Sequence, residues 1–106
     1  MNSEELFVVL IDVTSEDIKL HGCAGGVMYA AGWALSPNQF ILNVKKWLVN
    51  DGFETVGHEK IFEWESFKRS SDYFEDGPWK EMLAEIGEQQ FELWFGDVHV
   101  YEHNEH

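Results

Sequence analysis

The stretch VMYAAGWALSPNQFILNVKKWLVNDGFETVGHEKIFEW, residues 27–64, decides how the rest of the chain is read. It spells a strand, a capped helix and a second strand. In its middle, Phe40, Ile41, Val44, Trp47 and Leu48 recur at helical spacing and predict one apolar stripe, while Asn38, Asn43, Lys45, Lys46 and Asn50 fall largely elsewhere. Ser36 stands at the cap, Pro37 brings a pre-set φ to the first helical position, and Gln39 completes a Ser-x-x-Gln capping box. Leu35 and Phe40 occupy the positions of a hydrophobic staple. Asp51-Gly52 supplies the stop, because glycine accepts positive φ without a Cβ clash.

Upstream of the helix, Val27, Tyr29, Ala31 and Trp33 alternate with Met28, Ala30, Gly32 and Ala34, so one side of this strand is large and the other small. The small side is expected to lie under the helix, where backbones can approach closely. Residues 6–13, LFVVLIDV, read as the first strand, apolar on both faces, as in a central strand covered on two sides. Thr14 to Gly26 reads as a loop or wide hairpin, with Ile18 and Leu20 in a possible short extra strand; Gly22, Gly25 and Gly26 match no phosphate-binding fingerprint.

Downstream of Gly52 the apolar alternation changes phase at Gly57, as at a bulge or a turn that splits two strands. Ser66 opens a short helical or irregular segment, and Glu75-Asp76-Gly77-Pro78 ends it. Trp79, Met82, Leu83 and Ile86 then predict a second main helix, with Glu81, Glu85 and Glu88 on its outer face. Residues 91–102, FELWFGDVHVYE, slip phase at Gly96-Asp97 and read as one long bent strand, with a tight hairpin as the alternative. The expected fold is α+β: a two-layer α/β sandwich, ferredoxin-like or related, in which right-handed crossovers put both main helices on one face of a mixed sheet. Residues 1–102 form the single domain, since 106 residues suit one unit, and 103–106 are a polar tail.

Charge narrows the partners. Twenty acids against seven Lys and Arg leave −13, which makes nucleic-acid phosphates and anionic membranes unsuitable direct partners. Residues 70–106 hold ten of the acids and only Lys80, a balance of −9. One cysteine permits no internal disulfide, and the acidic amino terminus is followed by an apolar run, Leu6 to Ile11, too short for a signal core or a membrane span. A cytoplasmic setting is expected.

Catalytic and metal readings are weak. His99, Glu102, His103 and His106 crowd the carboxyl terminus but read as a solvated tail. Cys23, with His21 or His58 as a base, reads as a structural loop residue, and Glu63 with Glu65 as a chance pair on one strand face. No catalytic residue, metal or cofactor is expected. The sixteen aromatics carry more meaning. With both helices on one face, the other face of the sheet would need a cover, unless the core simply uses bulky residues.

The expected function is that of a small acidic non-enzymatic binding protein, an inhibitor or immunity-type protein docking on a basic, nucleic-acid-handling protein. Asp72, Glu75, Asp76, Glu81, Glu85 and Glu88 would steer the partner, with Tyr73, Phe74 and Trp94 as anchors. The alternative is a homodimeric α/β domain holding a small ligand between sheet faces.

Overall fold

The computed structural model describes residues 4–20, 22–71, 73–86 and 93–102. Its centre is β1 (Glu5–Thr14), whose odd residues Phe7, Val9, Ile11 and Val13 and even residues Leu6 and Val8 are all buried. Alternation along the pleat sends the two sets to opposite faces, so the strand must be covered twice. After a short helix α1 (Glu16–Leu20), β2 (Cys23–Ala34) returns antiparallel to β1, from Glu5 opposite Ala34 to Val13 opposite Gly26. The connection read as a loop therefore holds a helical turn, and β2 begins four residues earlier than Val27.

Both outer positions of the sheet are interrupted strands. β3 (Glu54–His58) and β4 (Phe62–Glu63) run one after the other along β1, with a register shift between Asp12 and Val13. β5 (Leu93–Phe95) and β6 (His99–Glu102) do the same along β2. The phase slip at Gly57 is thus a bulge within β3, where the pairing steps from Asp12 opposite Gly57 to Val13 opposite Thr55, and the slip at Gly96-Asp97 is a break in a continuing path, not a hairpin. Every pairing is antiparallel, in the order β3-β1-β2-β5.

This overturns the two-layer, ferredoxin-like sandwich with a mixed sheet and two main helices on one face: the fold is dominated by its antiparallel sheet. The reason is connectivity. A same-side rule holds for crossovers between parallel neighbours, and here the first two strands pair antiparallel at the centre. α2 (Pro37–Asn50) packs Phe40, Ile41, Val44 and Leu48 against Phe7, Val9, Ile11, Val13, Met28, Ala30 and Ala34. The opposite face receives α3 (Trp64–Phe67) and α4 (Trp79–Ile86), where Phe67, Trp79, Met82 and Ile86 pack with Leu6, Val8, Ala31 and Trp94. Among the described residues both faces of the central strands are covered, and bulky aromatics help to fill the second core.

α2 forms where its caps direct. Ser36 Oγ accepts from the Gln39 N–H at 3.1 Å, and Gln39 Oε1 accepts from the Leu35 N–H at 2.7 Å, one residue before the usual partner of a capping box. Gly52 follows the Asp51 cap with φ of +87°, a conformation that glycine adopts freely. The small side of β2 does lie under this helix, as Ala30 and Ala34 show. Trp47 departs from the expected stripe: it is 55% exposed, because the stripe needs only Phe40, Ile41, Val44 and Leu48 to cover the sheet.

Thr14 ends β1 buried, and its hydroxyl has no hydrogen-bond partner among the described residues. Such a group retains its desolvation cost. Thr14→Val is expected to leave stability unchanged or raise it by about 1 kcal/mol, whereas Ser36→Ala, which removes the cap, should cost about 1 kcal/mol; urea denaturation midpoints check both.

Candidate binding groove

The second core is built around one indole. The Trp79 ring lies 4.9 Å from Phe67, 5.1 Å from Tyr29 and 5.6 Å from Phe74, all edge-on, and 6.4 Å from Trp94. Edge-to-face contacts of this kind suit the aromatic quadrupole. Trp79 Nε1–H donates to the Phe74 carbonyl at 2.9 Å, and the Gly77 N–H donates to the same oxygen at 3.0 Å. The turn from Phe74 to Trp79 is thereby tied onto the core. Gly77 has to be glycine for reasons of space: a Cβ there would overlap Trp79 Nε1 and sit 2.7 Å from Phe74 Cε2.

Beside this turn a groove of about 650 Å³ runs between α4 and the β5–β6 corner. Tyr29, Phe74, Trp94 and Phe95 supply its aromatic lining, and Asp76, Glu81, Glu85 and Asp97 its carboxylates. All four acids are exposed, and neither lysine nor arginine lines the groove. Carboxylates gathered on one concavity add to one another's negative potential, which salt screens over about 8 Å. His99 completes the rim on β6. The main-chain support is rigid, since the Gly96 N–H donates to the Tyr29 carbonyl at 2.8 Å.

Of the residues expected to meet a partner, the groove gathers Phe74, Asp76, Glu81, Glu85 and Trp94. Their surroundings differ. Phe74 is 47% exposed and suits an anchor, but Trp94 is only 6% exposed and serves mainly as floor and core. Tyr73 is half-buried, stacked on Trp79 at 6.1 Å and edge-on to Phe67, outside the groove lining. Glu75 is exposed but does not line it. Asp72 and Glu88 lie outside the described residues, as do His21, His103 and His106. The groove also recruits Tyr29, Phe95, Asp97 and His99, which were not among the residues expected to meet a partner; Asp97 was counted only in the overall acidity of residues 70–106.

Of the other chemical candidates, the side chains of Cys23 and Glu102 are not described, and the described ones do not assemble. Glu63 ends β4 while Glu65 belongs to α3, so they do not share a strand face. Glu65 instead pairs with Lys68 at 3.1 Å. His58 Nδ1 contacts the neighbouring Glu59 carbonyl at 2.7 Å. Among the described residues no three His, Cys, Asp or Glu side chains converge to hold a metal ion, and no helix is long and apolar enough to cross a membrane. No protein-family model, curated protein or solved structure matches the chain.

Gly77→Ala should disturb the groove from beneath. We expect a loss of about 1–3 kcal/mol from the overlap with Trp79, and a weakened near-ultraviolet dichroism signal while the far-ultraviolet signal is kept; denaturation followed by both signals checks it.

Proposed function

We propose that the protein is a non-enzymatic binding module that docks a basic segment of another protein in the groove between α4 and the β5–β6 corner. The observation that carries this reading is the convergence of Asp76, Glu81, Glu85 and Asp97 over an aromatic floor with no lysine or arginine in the lining among the described residues. Carboxylates steer a basic partner and set its register, while exposed rings such as Phe74 lengthen its residence. An inhibitor of a basic nucleic-acid-handling protein, of the immunity type, is the concrete form, since such a target presents a lysine- and arginine-rich surface to phosphates. The cytoplasm suits a chain with one cysteine.

Self-association is a second reading, favoured by a different surface. On the outer side of α2, Leu42 and Val49 are 65% and 64% exposed, two turns apart, and Trp47 is exposed nearby. A dimer would use this helix rather than a sheet face, because both faces are covered.

Titration with a lysine- and arginine-rich peptide at about 50 mM and about 500 mM salt tests the groove. Binding should weaken steeply with salt, and Glu81→Lys with Glu85→Lys should abolish it, while Glu16→Lys with Asp17→Lys, an equal change of charge outside the groove, should retain most of it. Equal losses in the two double variants would refute the reading.

A further inference from the structure

On the other side of α4 a second hollow, of about 380 Å³, opens between the start of β1 and α3. Its walls are the indoles of Trp33 and Trp64 with Leu83, and it is bordered by Glu4, Glu63 and Glu65. The Trp33 Nε1–H donates to the Ile86 carbonyl at 2.7 Å, which locks the ring and leaves it π surface rather than a free donor. Trp64 is held by stacking on Phe67 at 6.0 Å. Two fixed electron-rich rings beside carboxylates favour a cation, and the hollow is wide enough for an organic one.

Two further observations agree on that class of ligand. Glu4 Oε1 is buried and has no hydrogen-bond partner among the described residues, at a side chain that lines this hollow. The chain itself also shows the pairing in miniature: Lys68 Nζ stands 5.8 Å from the Trp64 ring centroid and 3.1 Å from Glu65 Oε1. This indole and this carboxylate therefore accept an ammonium together, and an entering one has to displace Lys68 from Glu65. A bare metal ion is a poor fit, as no ligating trio converges among the described residues.

We infer that the Trp33–Trp64 hollow is a binding site for an alkylammonium group. The ammonium enters between the indoles, its methyl or methylene groups lie on the rings and Leu83, and its charge is met by Glu4 and Glu65. This site stands apart from the groove and does not depend on what the groove binds.

The test follows the indole N–H resonances of Trp33 and Trp64 during titration with choline. Saturable shifts of both in the millimolar range are expected, roughly what a single small cation on two rings supports. Its uncharged carbon isostere, in which a quaternary carbon replaces the nitrogen, should give shifts at least about tenfold weaker, and so should choline with the Glu4→Gln, Glu65→Gln variant. If a pentalysine peptide competes more tightly than choline, the ammonium belongs to a polypeptide; if choline is the tighter, to a free small molecule. Equal binding of the isostere to the unaltered protein, undiminished choline binding by the variant, or no saturable shift would overturn the proposal.

Discussion

Everything in this fold follows from a strand that is apolar on both sides. Along β1, Phe7, Val9, Ile11 and Val13 require one cover, and Leu6 and Val8 another. Fully burying such side chains contributes on the order of 1.5–3 kcal/mol each, so leaving either face to solvent would forfeit much of the stability of a small domain. The antiparallel pairing with β2 places β1 inside the sheet, and the chain meets the demand with α2 on one face and α3 with α4 on the other. The outer strand pairs β3–β4 and β5–β6 can then be short and broken, since they only flank the ladder that carries the core.

The division of labour between the two covers is visible in their side chains. α2 is a mainly aliphatic cover, with Phe7 stacked against Phe40 at 5.7 Å. The opposite layer is rich in aromatics, which converge on Trp79 among Leu6, Val8, Met82 and Ile86. Short elements such as α3 have little area to bury, and large flat rings supply it per residue. The same rings then reach the surface at two places. They line the groove beside Glu81 and Glu85, and they wall the hollow beside Glu65, so that α4 separates two concavities of the same electrostatic sign. An excess of aromatics thus serves folding first and recognition at its margins.

The local code of residues 27–64 was legible because each signal rests on short-range physics: Ser36, Pro37 and Gly52 act within a turn of their own positions, and Ala30 and Ala34 within one strand. The two-sided character of β1 was equally plain in LFVVLIDV. Strand order was not, because it depends on which non-local pairing wins: the 14–26 connection read as a loop or a wide hairpin, and only the second alternative pairs β1 with β2 as Glu5–Val13 pair with 26–34. Placing both helices on one face followed from that gap, although the apolar pattern of β1 already argued against it. In the groove, the acids and Phe74 of the α4 side were legible from charge and spacing. Tyr29 and Phe95 were not, since a partner surface drawn from distant strands appears only once the register is known.

Native-state hydrogen exchange across low urea concentrations tests the two-sided core most directly. The amides of Phe7 to Ile11 in β1 and of Met82 to Ile86 in α4 should exchange only through global unfolding, sharing its free energy and its dependence on urea. Fast, urea-independent exchange in α4 while β1 stays protected would contradict the account, for it would mean that the aromatic layer is not a fixed cover of the sheet.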